Sequence, residues 1–149
     1  MELVIFIGLQ ASGKSTFFKE RFFDTHVRIN LDMLKTRHRE KVLFDACLVG
    51  KQPCAVDNTN PTAEDRARYI PAAKAAGFRI VGYYFQSKLE ECLTRNQTRP
   101  GKREIPVGGV KATHARLQRP DRSEGFDELH YVCIGPDGTF VVEEWKDEV

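Results

Sequence analysis

The chain has 149 residues, 41% hydrophobic and 30% charged, with a formal net charge of +2. That length predicts one domain over residues 1–149, and the composition is that of an ordinary globular protein. No apolar stretch is long enough to span a bilayer, and the acidic Met1-Glu2 start is not a signal peptide, so a cytoplasmic protein without membrane attachment is expected.

Leu3–Ile7 is a short apolar run ending at Gly8, the pattern of a strand buried on both faces. A helix from Gly13 to about Phe23 follows, then a strand-like stretch, His26–Leu31. Asp32 to about Val49 reads as helical and stops at Gly50. Cys54–Val56 is a third strand ending at Asp57. Thr62 opens the next helix with Asp65 at capping-box spacing, and Gly77 closes it. Phe78–Phe85 is the fourth strand. Ser87, with Glu90 three residues on, is read as the cap of a helix carrying Arg95 and Arg99. Pro100–Pro106 leaves helical structure, and another helix runs from about Gly108 to Leu117. His130–Ile134 is a fifth strand, and a Gly135–Gly138 turn leads to Thr139–Glu143 in a C-terminal hairpin.

This alternation predicts an α/β fold: a P-loop kinase-like, mostly parallel sheet of about five strands, with helices on both faces and the terminal hairpin added. Gly8, Asp32 and Asp57 each follow a strand, so they should gather on the sheet edge where such folds bind ligands. Cys47, Cys54, Cys92 and Cys133 form no Cys-x-x-Cys pair and are expected to be reduced thiols.

Gly8-Leu9-Gln10-Ala11-Ser12-Gly13-Lys14-Ser15 satisfies G-x-x-x-x-G-K-[ST] in full, and Thr16 follows it in the helix. The glycines allow close backbone approach, the N–H groups form an anion nest, and the helix N-terminus adds partial positive charge. Lys14 would reach the β- and γ-phosphates of ATP, and Ser15 would bind Mg²⁺. Asn-Lys-x-Asp is absent, which sets aside a GTPase. No apolar run ends in Asp-Glu, which sets aside a motor ATPase with an activating glutamate. From Lys88 to Arg122, nine Lys and Arg face four acidic residues, whereas from Ser123 onward one Lys faces eight. The basic segment could meet phosphates or be a solvated face. One domain with an arginine-rich segment after the fourth strand suits a kinase with a lid over about residues 95–107.

Here the sequence resembles the 5′-hydroxyl polynucleotide kinases of nucleic-acid end healing. The resemblance rests on Gly8 to Thr16, Ile29-Asn30-Leu31-Asp32, Val56-Asp57-Asn58-Thr59-Asn60-Pro61, Arg66-Ala67-Arg68-Tyr69, Arg95-Asn96-x-x-Arg99, Ile105-Pro106-Val107 and Glu124-Gly125-Phe126. It covers most of the chain up to the fifth strand. Two departures stand out: Leu31 and Met33 flank Asp32 where the family often has a second charge, and Lys35 stands where the phage enzyme has an arginine.

The resemblance implies ATP and Mg²⁺ as cofactors and a nucleic-acid 5′-OH end as substrate, with separate end-healing or ligase proteins as possible partners. With no phosphatase pattern in these residues, this chain would be expected to act as a kinase only. Asp32 would be the base that takes the hydroxyl proton; the alternative is a helix cap. Asp57 would reach Mg²⁺ with Ser15; an Asx turn is the alternative. Arg95 would contact nucleotide and Arg99 would stabilise charge during transfer; the alternative is a basic stripe bonding Glu91. Lys35 and Arg37, with Arg39 nearby, would hold substrate phosphates or simply be solvated. Rival functions are a small-molecule kinase (sugar, nucleoside or antibiotic) and a non-catalytic nucleotide-sensing subunit.

Overall fold

The computed structural model describes residues 1–101 and 104–146. Six strands form one sheet in the order β2-β3-β1-β4-β5-β6. They span Glu2–Ile7 (β1), Val27–Ile29 (β2), Cys54–Val56 (β3), Arg79–Phe85 (β4), Glu128–Ile134 (β5) and Phe140–Glu144 (β6). All neighbours pair in parallel except β5 and β6, joined antiparallel with Ile134 opposite Phe140. The mostly parallel α/β sheet expected from the alternating pattern is therefore present, and the terminal hairpin extends it.

β1 lies at the centre because both its faces are apolar. Leu3, Ile5 and Ile7 pack on one face with Phe44, Cys47 and Ile70. Val4 and Phe6 pack on the other with Phe17, Phe18 and Phe85. This is the two-residue period of a strand with both sides covered. Helix α1 (Lys14–Arg21) covers the second face; α3 (Arg37–Val49) and α5 (Ile70–Ala75) supply the packing on the first.

The two long predicted helices each break. Asp32–Val49 divides into α2 (Leu31–Leu34) and α3, because Lys35 turns to a φ of 73° and Thr36 caps α3 by accepting from the Arg39 N–H. Asn30, not Asp32, caps α2. The helix opening at Thr62 keeps its predicted capping box with Asp65 but ends after one turn as α4 (Ala63–Arg66). α5 restarts with Pro71 in its first turn, a position that tolerates the missing N–H.

In α6 (Leu89–Gln97) the N-cap position falls on Lys88, not Ser87, and no side chain caps the helix. It also stops before Arg99, which directly precedes Pro100 and is therefore disfavoured in helical geometry. Arg95 and Arg99 consequently do not share a helix. α7 (Val107–Arg116) follows the intervening loop. Lys102 and Arg103, within the predicted lid, lie outside the described residues, as do Asp147 to Val149.

Candidate active site

The strand order reverses at β1, with β3 on one side and β4 on the other. Such a switch point opens a crevice at the carboxyl ends of the strands. A cleft there is lined by Gln10, Lys14, Ser15, Asp32, Asp57 and Arg99, together with Asn30, Leu31, Asn58, Thr59 and Ile105.

The loop after β1 is fixed from behind. The Gly8 N–H donates to the Thr59 carbonyl at 3.0 Å, and the Leu9 N–H donates to Ser87 Oγ at 3.1 Å. Ser87 thus ties the loop to β4 instead of capping α6. Gly13 has a φ of 102°, and a Cβ there would come 2.9 Å from the ring of Phe140. Ala11 is held at a φ of 62°, an uncommon conformation for a residue with a side chain. α1 begins at Lys14 with no side chain capping it, so its first N–H groups remain for an anion.

Lys14 is buried, and its ammonium turns back on the loop, donating to the carbonyls of Gly8 at 3.0 Å and Leu9 at 2.5 Å and, at 3.4 Å, to Ser12 Oγ. Burial pulls its pKa down to about 8; Asp57 opposes the shift and Arg99 adds to it. Facing Lys14, the Ser15 hydroxyl donates to Asp57 Oδ2 at 3.0 Å. Asp57 is buried at the end of β3. A hydroxyl and a carboxylate are the hard oxygen donors that Mg²⁺ takes, so this pair fits the ion. Arg28, from β2, donates to the same Asp57 oxygen through Nε at 2.8 Å and to Ser15 Oγ through Nη2 at 3.0 Å.

Asp32 is exposed in the first turn of α2 and aimed by two asparagines. Asn30 accepts from the Met33 N–H and donates 2.5 Å to the Asp57 carbonyl. Asn58 accepts from the Leu31 N–H at 2.9 Å and donates to Glu40 Oε2. Buried Glu40 also accepts from Tyr69, whose phenol burial and Glu40 push up to about 12, so the ring stays a donor. These bonds fix the backbone on either side of Asp32, at Leu31 and Met33, and so set where α2 presents its carboxylate.

The family model described as "AAA domain" matches residues 35–120, more than half of the chain. This chain belongs to the AAA-domain family. The match begins after the phosphate loop, so the loop and the family are independent observations. Within this AAA domain the fold is that of P-loop kinases. Kti12 of Chaetomium thermophilum, solved with ADP-AlF3, superposes with a TM-score of 0.67 at 16% identity, over 91% of this chain and 92% of that one. A gluconokinase from Sinorhizobium meliloti 1021 gives a TM-score of 0.62 at 15% identity, over 90% and 83%. In sequence, the chain is 29% identical over 140 residues to a bifunctional polynucleotide phosphatase/kinase of Schizosaccharomyces pombe (strain 972 / ATCC 24843). That alignment takes in 89% of this chain and 34% of the relative, so the chain spans about a third of that protein's length.

The AAA domain brings six of the sequence-selected residues to the cleft. Lys14, Ser15, Asp32, Asp57, Arg99 and Gln10 line it. Gln10 donates to Thr113 Oγ1 of α7 at 3.0 Å, while its buried Oε1 has no hydrogen-bond partner among the described residues. Arg95 lies behind the loop, donating to the Ala11 carbonyl at 3.2 Å and pairing with Glu91. Thr16 is exposed on α1. Lys35 and Arg37 do not line the cleft; the Arg37 guanidinium donates to Glu40 and Tyr69.

The sequence suggested no individual site role for Arg28, Asn58 or Asn96, and Ser87 was expected only as a helix cap. Asn96 is buried, donates 2.6 Å to the Ile105 carbonyl and accepts 2.9 Å from the Ile105 N–H. It closes the neck of the loop that carries Arg99. An Arg in the middle of Val27-Arg28-Ile29 was a readable signal, because a charge inside a strand of a covered sheet needs an anionic partner.

Proposed function

We propose that this AAA domain is a polynucleotide 5′-hydroxyl kinase, transferring the γ-phosphate of ATP to the 5′-OH end of DNA or RNA. The observation that carries the reading is one cleft lined by a phosphate-loop lysine, an exposed carboxylate and an arginine: Lys14, Asp32 and Arg99. The likeness to a polynucleotide phosphatase/kinase over most of this chain supports the polymer substrate.

The loop amides and the start of α1 hold the triphosphate. Lys14, released from the Gly8 and Leu9 carbonyls by stronger anionic acceptors, follows the transferring group. Asp32 accepts the proton of the attacking hydroxyl. Arg99 stabilises charge on the equatorial oxygens during transfer. Ser15 and Asp57 would hold Mg²⁺, which supplies positive charge at the phosphates.

A second reading, a small-molecule kinase, is favoured by one observation: Lys35 and Arg37, the cations expected to grip a strand, stand away from the cleft. Labelled ATP and Mg²⁺ with a panel of 5′-OH DNA, 5′-OH RNA, nucleosides and sugars separates the two. Transfer to oligonucleotides supports the first reading, and preferential turnover of a sugar or nucleoside replaces it with the second.

A further inference from the structure

Arg28 bonds both side chains expected to hold the divalent ion. Its Nε is 2.8 Å from Asp57 Oδ2 and its Nη2 is 3.0 Å from Ser15 Oγ. The Asp57 side chain is 1% exposed and that of Arg28 29% exposed, so water screens this pair poorly. The Ser15 hydroxyl has a single hydrogen, given to Asp57, and two lone pairs, one of them taken by Arg28. One lone pair remains. A divalent ion on Ser15 must therefore share that oxygen with a guanidinium.

The charges around the cleft sharpen this conflict. Asp32 and Asp57 contribute two negative charges; Lys14, Arg28 and Arg99 contribute three positive ones when Lys14 is protonated. Such a site attracts a polyphosphate and gives a free cation no net attraction. We infer that Arg28 is a specificity-determining residue of the metal site: it excludes free divalent ions from Ser15 and Asp57 and admits an ion that arrives with nucleotide phosphates. The inference rests on the reading of Ser15 and Asp57 as metal ligands. It goes beyond that reading by giving the site an ordered, nucleotide-dependent loading.

Mn²⁺ tests it, because electron paramagnetic resonance counts free and bound ion without requiring turnover. The full chain and Arg28→Met are titrated with Mn²⁺, with and without ADP. The wild type should bind Mn²⁺ weakly alone and much more tightly with ADP. Arg28→Met should bind free Mn²⁺ about tenfold more tightly or better, with the difference narrowing to about threefold or less when ADP supplies its own charge. Arg28→Gln, which keeps a donor toward Ser15 and drops the charge, should behave alike and replaces the Met variant should that one melt low. Adding Ser15→Ala to Arg28→Met should abolish the gain, placing it at this site. Nucleotide-dependent Mn²⁺ uptake in the wild type, with no gain in free-ion affinity in either variant, overturns the inference alone. An equal gain with and without ADP also overturns it. No Mn²⁺ uptake by the wild type even with ADP overturns the metal reading of Ser15 and Asp57, and the inference with it.

Discussion

Lys14 is a buried ammonium that donates to two carbonyls and a hydroxyl, and burial loosens its proton in spite of those acceptors. Its folded pKa of about 8 lies below the ordinary 10.5. Between those values the unfolded chain binds the extra proton, so this residue's contribution to stability rises with pH across that window. At pH 7 the full cost is present, on the order of 3 kcal/mol. Nucleotide-free Lys14→Met should accordingly be more stable than wild type at pH 7, by about 1–3 kcal/mol in denaturant unfolding, with the gain vanishing near pH 10.5, and it should transfer no phosphate. A melt lower than wild type at pH 7 would contradict this burial cost. Phosphate binding raises the lysine's proton affinity, so ADP binding near pH 9 should take up close to one proton. Calorimetry in two buffers of different ionisation enthalpy reads this directly, and equal heats in both would rule it out. Asp32→Asn should leave thermal stability intact, since Asn30 holds the cap, while kcat drops about 10²-fold or more. Near-normal kcat would remove Asp32 from the chemistry.

Whole elements add constraints that single residues do not show. Arg66 is fully buried and forks onto both oxygens of Glu124 at 2.7 and 3.0 Å, with Nη1 on the carbonyls of Asn60 and Gln118. This binds α4 to the turn Arg122–Glu124, where Gly125 at φ 115° lets the chain double back. Breaking the pair leaves an uncompensated buried charge, so Glu124→Gln should cost about 3 kcal/mol or more in chemical denaturation. A loss under about 1 kcal/mol would mean the pair behaves like an exposed one. The Asn96 neck calls for a kinetic test. Asn96→Ala frees the loop carrying Arg99, so kcat should fall more than ATP affinity, and Arg99→Lys should show the same split. A change confined to ATP affinity would make the loop a ground-state contact. Strong local signals made some elements legible: Cys54–Val56 and the Thr62–Asp65 box lie where expected. Tertiary partners hid others. Ser87 had the spacing of a cap, yet Leu9 claimed its hydroxyl from 78 residues away. Asn96 and Ile105 each lay in a stretch that carried the resemblance, but nothing in the sequence showed that they bond one another across nine residues.

At the level of the molecule, the sheet's carboxyl edge gathers residues scattered from Gln10 to Ile105 into one cleft, and the strand-then-glycine and strand-then-aspartate junctions announced that gathering in advance. The partners of Arg28 were not readable, because they arise from register: Arg28 lies beside Ala55, one residue before Val56 and two before Asp57. A polymer substrate should reveal itself through salt. KM for a 5′-OH oligonucleotide should rise steeply with ionic strength, much more than KM for ATP, since several phosphates release counterions together. A flat oligonucleotide KM would favour a small acceptor. One feature joins distant parts of the chain. The Phe140 ring, on β6, backs Gly13 and lies edge-on to Phe17 at 5.1 Å. During vectorial synthesis the phosphate loop therefore emerges long before its rear wall, and its ability to grip nucleotide should mature only once residue 140 has left the ribosome and β6 has docked.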